Sequence, residues 1–187
     1  MWDERYGSPG RTWSGEPNPV LVEVAAQLSL GTALDVGCGE GADAVWLARR
    51  GWQATALDFS AEGLRVAAAA AQDAGVQVDW IRADAAQWHP PKTFDLVNVQ
   101  YFHGPPDARR AVHRLAWQAT EGTLLVVGHH PTHPGGPPDA SKYGTTAILT
   151  ALGVPPDAPG IATATRSRGD AVDAVVAVSR SGEQIHL

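Results

Sequence analysis

The sequence predicts one α/β domain: a sheet of seven strands, mostly parallel, covered by helices on both faces and closed by a C-terminal antiparallel hairpin. Three observations carry this. Between residues 33 and 127, short apolar runs alternate with segments of helical periodicity, the rhythm of a parallel sheet with crossover helices. The runs are apolar almost throughout, as strands buried on both faces are. The last two alternating stretches are separated only by Ser167-Arg168-Gly169-Asp170, a link too short for a parallel crossover. A length of 187 residues suits a single core, so residues 1–187 are read as one domain.

Each element has its own signal. Residues 1–17 mix Trp, Gly, Pro and Ser without periodicity and read as an arm or lid. Asn18-Pro19 opens a helix, with Asn18 as cap and Pro19 in the first turn. Val20, Val24 and Leu28 form its apolar stripe, and Gly31 stops it. Strands are expected at 33–36, 52–57, 76–81, 94–99 and 123–127, and helices at 43–50, 61–74 and 106–118. Past Gly128 the character changes to a His/Pro/Gly loop over 129–138, then a helix over 143–152. A Pro/Gly linker covers 153–160, and strands at 161–166 and 171–178 form the hairpin.

Composition removes several functions. With 18% charged residues and a net charge of −6, the chain lacks the clustered basic surface that tracks phosphates. Lysine appears only as Lys92 and Lys142, and the longest basic runs are the pairs Arg49–Arg50 and Arg109–Arg110. Nucleic acid is therefore not the expected partner. Cys38 is the only cysteine, which excludes an intrachain disulfide framework and a multi-cysteine zinc site. The first residues, Met1 to Tyr6, are polar and aromatic, unlike the apolar core of a signal peptide. No run approaches the roughly 18 apolar residues of a membrane span. The expectation is a cytoplasmic protein with no membrane partner; its oligomeric state is left open.

The informative run is Asp35-Val36-Gly37-Cys38-Gly39-Glu40-Gly41, between an expected strand and helix. Glycines there permit a tight turn and let main-chain N–H groups touch a ligand. Gly37, Gly39 and Ala42 also fit the dinucleotide fingerprint, and Asp58 stands about twenty residues on, where a ribose-binding acid belongs. A nicotinamide-dependent oxidoreductase is thus one reading. Three details favour another. Asp35 would crowd a pyrophosphate but suits a cationic amino-acid moiety, Gly41 adds a third glycine, and Asp84 ends the third strand with a further acceptor. S-adenosyl-L-methionine has a sulfonium, an ammonium, a ribose diol and an adenine amino group, and no phosphate. Acids and backbone donors answer that inventory.

The run Ala33-Leu34-Asp35-Val36-Gly37-Cys38-Gly39-Glu40-Gly41 closely resembles the motif of the class I S-adenosylmethionine-dependent methyltransferases. The resemblance implies a Rossmann-like doubly wound fold. It implies that Asp35, Gly37, Cys38, Gly39 and Gly41 hold the methionine end and that Asp58, next to Phe59, holds the ribose hydroxyls. It also implies that Asp84, with Ala85 beside it, meets the adenine amino group. The aromatic arm, with Trp2, Tyr6, Trp13 and Pro17-Asn18, is similar to that of a narrower group, the tellurite-resistance and thiopurine methyltransferases.

Other candidates follow from position. Cys38 fills a tight turn rather than acting as a nucleophile, since its motif carries no His or Asn partner. His129, His130 and His133 sit in a proline-interrupted loop without a cysteine or carboxylate close in sequence, so no metal is expected. Gln100, Tyr101 and His103 end the fourth strand, Gln100 facing the cofactor and Tyr101 and His103 the acceptor. Trp13 is a candidate to cover the sulfonium. The expected reaction is methyl transfer to a small acceptor carrying a sulfur, chalcogen or oxygen nucleophile. His103, His129 and His130 are the candidate bases for a hydroxyl, and His129 also a substrate contact. A non-catalytic cofactor binder is the other alternative.

Overall fold

A computed structural model describes residues 14–134 and 142–187; Trp13 and most of the arm lie outside the described residues. The chain groups into two compact units, Met1–Trp88 and His89–Leu187.

In the first unit the elements are α1 (Pro19–Ala25), β1 (Thr32–Val36), α2 (Ala42–Arg49), β2 (Gln53–Asp58), α3 (Ala61–Asp73) and β3 (Asp79–Arg82). Asn18 caps α1 as its sequence position predicts: its side chain accepts the Val20 N–H at 2.9 Å. The helix is shorter than the Val20/Val24/Leu28 stripe implies. After Ala25 the bonds tighten to i→i−3, from Gln27 to Val24 and from Leu28 to Ala25, the usual way a last turn satisfies its carbonyls. The strands are ordered β3-β2-β1 and pair in parallel, with Asp35 opposite Ala56 and Asp58 opposite Arg82. Leu34, Val36, Ala56, Leu57, Leu47 and Ala67 make a core without solvent exposure.

The third strand begins at Asp79 rather than at residue 76. Val76 is taken up by the end of α3, where its N–H bonds to the Ala71 carbonyl and the Gly75 N–H to that of Gln72. That is a Schellman cap with Gly75 at φ +67°. An apolar residue just past a helix-ending glycine belongs to such a cap as readily as to a strand.

In the second unit the elements are β4 (Phe94–Gln100), α4 (Pro106–Ala119), β5 (Thr120–His129), α5 (Thr145–Leu152), β6 (Ile161–Arg168) and β7 (Ala171–Ser179). Their order is β4-β5-β7-β6. β4 and β5 pair in parallel, and β7 runs antiparallel to both β5 and β6, so the C-terminal hairpin is as predicted. Strand β5 starts three residues early because Thr120 serves two elements. Its hydroxyl donates to the Ala116 carbonyl at 2.7 Å, closing α4, while its backbone is already extended. Helix α5 starts late because Tyr143 is a core residue, 4% exposed. Its ring fills the space that a Cβ at Gly128 would occupy.

Among the described residues, seven strands, parallel within each unit except for β7, and five helices make the Rossmann-like α/β fold expected from the sequence.

Candidate functional site

The glycine turn follows β1 at its carboxyl end. Gly37, Gly39 and Gly41 take φ values of +75°, +52° and +74°, a left-handed region that side chains adopt only with strain. The Gly37 and Cys38 N–H groups bond to the Leu57 carbonyl, and the Gly41 N–H to that of Cys38. Gly41 is pinned by packing as well. A Cβ there would lie 2.6 Å from the Ala67 Cβ and 2.9 Å from the Trp80 ring, so α3 and β3 both close on the turn.

Asp58 ends β2 and is 6% exposed. One carboxylate oxygen accepts the Gly39 N–H at 2.9 Å, the other the Ser60 N–H at 2.8 Å. The acid thereby ties the turn after β1 to the turn after β2. Ser60 in turn caps α3 through the Gly63 N–H at 3.0 Å. Phe59 beside it is half exposed, at 50%, a large apolar ring at the strand end. Asp35 is 4% exposed at the end of β1. Asp43, in the first turn of α2, accepts the Asn18 N–H at 2.7 Å.

These acids make the turn electronegative, and Cys38 registers it. Burial pushes its thiol up, and the charges of Asp35, Asp58 and Asp43 push it further. A group in that field favours its neutral or positive form, which suits a cationic ligand and leaves Cys38 a poor nucleophile. Asp84 stands two residues past the end of β3, and its side chain is exposed. It accepts the Ala86 N–H at 2.9 Å and the Gln87 side chain at 3.0 Å, holding a turn. Ala85 is buried beneath it, at 6% exposure.

In the second unit the carboxyl ends of β4 and β5 carry the other candidates. Gln100 donates to the Asn98 side chain at 2.9 Å, and its own Oε1 is buried without a hydrogen-bond partner among the described residues. Tyr101 has φ +46°, the one non-glycine residue with positive φ among the described residues. Strain of that kind persists where surrounding contacts over-determine the geometry. Here the Tyr101 N–H bonds to the Val127 carbonyl and its hydroxyl donates to Asp173 Oδ2 at 2.7 Å.

Around this bond the structure gathers three histidines. The His129 ring lies 4.7 Å from Tyr101, 5.3 Å from His103 in a stacked pair and 4.2 Å from His133, centroid to centroid. His129 and Asp173 are directly opposite in the β5–β7 register, with Nδ1 and Oδ1 3.4 Å apart. His133 Nδ1 is 4.0 Å from the same oxygen. Desolvation works to raise the Asp173 carboxyl, yet His129, Tyr101 and His133 together hold it below the ordinary carboxylate value. His130 is not part of the cluster: its Nδ1 is with the Thr132 hydroxyl at 2.8 Å on the surface. The sequence reading missed Asp173. Its one signal was to be the acid among Val and Ala along a strand otherwise apolar from residue 171 to 178.

Parallel strands ending in a glycine turn, followed by an acid at the end of the next strand, are the arrangement in which open α/β sheets hold small ligands beyond their strand ends. Residues 33–121 match the family described as Methyltransferase domain. Residues 33–121 are thus similar to methyltransferases, and proteins of similar fold were crystallised with S-adenosylmethionine or S-adenosylhomocysteine. Over 107 residues it is 36% identical to the ubiquinone biosynthesis O-methyltransferase of Klebsiella pneumoniae, covering 53% of this chain and 44% of that one. An uncharacterized methyltransferase of Mycobacterium tuberculosis is 39% identical over 106 residues, covering 54% and 53%. The chain spans about half the length of the curated relatives it matches. In fold it resembles magnesium protoporphyrin IX methyltransferase from Synechocystis, crystallised with S-adenosylhomocysteine. The TM-score is 0.71 at 21% identity, over 86% of this chain and 80% of that one. Among the described residues no helix is long and apolar enough to cross a membrane.

Proposed function

We propose that the protein transfers the methyl group of S-adenosylmethionine to a hydroxyl of a small molecule, with the His129–Asp173 cluster taking up the hydroxyl proton. In this reading Gly37, Cys38, Gly39 and Gly41 cradle the methionine end and Asp35 faces its ammonium. Asp58 accepts from the ribose diol, Phe59 lies against the ribose-adenine face, and the turn of Asp84 and Ala85 meets the adenine edge.

The chemistry asks little covalent work of the protein. The acceptor oxygen forms a bond to the methyl carbon as the carbon–sulfur bond breaks. That electron pair returns to sulfur, which becomes the neutral thioether of S-adenosylhomocysteine. The hydroxyl proton passes to the cluster. Positioning and exclusion of water supply most of the rate, and a placed base contributes about 10²–10⁴-fold.

The observation that carries the choice of a hydroxyl is the buried pairing of His129 with Asp173, braced by Tyr101. A carboxylate behind an imidazole orients it and stabilises its protonated form. Thiol and chalcogen acceptors, which ionise or react without a base, would leave that arrangement idle. One curated relative named above is an O-methyltransferase by name.

The test is an assay of S-adenosylhomocysteine formation with panels of catechols, simple phenols and thiols. Turnover on a hydroxyl acceptor, lowered at least a hundredfold by His129→Ala with S-adenosylhomocysteine affinity kept, is the expected result. Turnover on thiols alone, or equal turnover by His129→Ala, would overturn it. Cofactor binding without turnover on any acceptor would favour a non-catalytic binder.

A further inference from the structure

We infer that His129, His133 and Asp173 form a binding site for a divalent transition-metal cation of the zinc type. The inference deepens the reading above and rests on it only for the role a bound ion would have: with His129 and Asp173 engaged as ligands, the ion would acidify the acceptor hydroxyl and the proton would pass to water instead of to the cluster.

The geometry is the first support. Each of the three residues offers one ligand atom, and these atoms lie within 4.8 Å of one another. Ligands about 2.0–2.1 Å from a tetrahedral zinc stand about 3.3 Å apart, and the His129–Asp173 separation is 3.4 Å. The register is the second support. His129 on β5 and Asp173 on β7 are a directly opposed pair, so two of the ligands sit on neighbouring strands of a hydrogen-bonded sheet.

The third support is what the polar atoms lack. Asp173 is 8% exposed, and its Oδ1 and the His129 Nδ1 are both buried with no hydrogen-bond partner among the described residues. At 3.4 Å from each other, two such atoms are satisfied either by a proton held between them or by a cation bound to both. The fourth support is the outer ring of contacts. The Tyr101 hydroxyl holds the other carboxylate oxygen. His133 Nδ1 lies 3.0 Å from both the carbonyl oxygen and the amide nitrogen of Val172; in the tautomer with Nδ1–H on the carbonyl, Nε2 keeps the free lone pair. Metal-bound histidines and carboxylates are oriented by partners of this kind.

Two imidazoles and one carboxylate favour zinc and its first-row neighbours over magnesium or calcium, which take oxygen ligands. Asp173 is also opposite Arg166 in the β6–β7 register, so an internal cation is the competing arrangement.

The test uses the full chain, stripped with chelator and titrated calorimetrically with Zn²⁺, with Mg²⁺ in parallel and S-adenosylhomocysteine binding as the check on folding. The expected result is one equivalent of Zn²⁺ bound and no saturable Mg²⁺. Affinity should fall at least tenfold in Asp173→Asn and in His133→Gln, and stay unchanged in the surface variant His130→Ala. Absence of Zn²⁺ binding to the native chain, or an equal loss in His130→Ala, would overturn the assignment. Failure of S-adenosylhomocysteine binding with Zn²⁺ binding intact would instead remove the cofactor reading and leave the cation site standing.

Discussion

The Tyr101 hydroxyl donates to Asp173 at 2.7 Å across 72 residues of chain, joining the end of β4 to the strand two places away in the order β4-β5-β7. Tyr101 holds a left-handed backbone to make this contact. Tyr101→Phe leaves a part-buried carboxylate oxygen without its donor, at a cost of about 1–3 kcal/mol. Urea unfolding should show that loss, and turnover should fall while S-adenosylhomocysteine affinity stays within twofold of the native value.

Gly41→Ala should be among the most damaging small substitutions. It adds a Cβ at φ +74°, 2.6 Å from Ala67 and 2.9 Å from Trp80. The left-handed backbone costs about 1–2 kcal/mol and the overpacking about 1–3 kcal/mol. A fall in unfolding free energy in that range, with weakened cofactor binding, is the expected outcome. An unchanged midpoint would mean that the turn is less tightly packed than described.

Asp58→Asn tests the acid that joins the two turns. The carboxylate accepts N–H groups on both oxygens, whereas an amide presents a donor to one of them. S-adenosylhomocysteine affinity should fall at least tenfold, about 1.4 kcal/mol, as read by calorimetry. Asp84→Asn, on an exposed turn, should cost less.

His113 gives the fold a predictable pH dependence. It is 1% exposed, and burial, with the Arg109 charge behind it, lowers its pKa from 6.5 to about 4. The folded chain keeps it neutral. Between about pH 4 and 6.5 the unfolded chain binds more protons, so unfolding free energy rises with pH in that window and levels off above it. The full span is about 3 kcal/mol. Urea titrations at several pH values should show this slope, and His113→Leu should reduce it.

The two parts of the site differed in how legible they were. The glycine turn and Asp58 could be read because their geometry is local: strand, turn, helix and the end of the next strand follow in order along the chain. The His129–Asp173 pair could not be. It exists only once β7 has paired antiparallel with β5 in one register, and a shift of one residue would turn Asp173 to the other face. His129 and His130 are neighbours in sequence, yet one enters the cluster and the other bonds Thr132 on the surface, because successive strand residues point to opposite faces. The element errors have the same root. Val76 and Tyr143 carry apolar character that reads as strand or helix, but one serves a helix cap and the other packs on Gly128.

Calorimetric titration of the full chain with S-adenosylhomocysteine, beside a parallel titration with NADH, tests the central claim most directly. The account predicts saturable binding of S-adenosylhomocysteine at one site per chain, weakened in Gly41→Ala and in Asp58→Asn, with no NADH binding. Binding of NADH in its place, or of neither ligand, would contradict it.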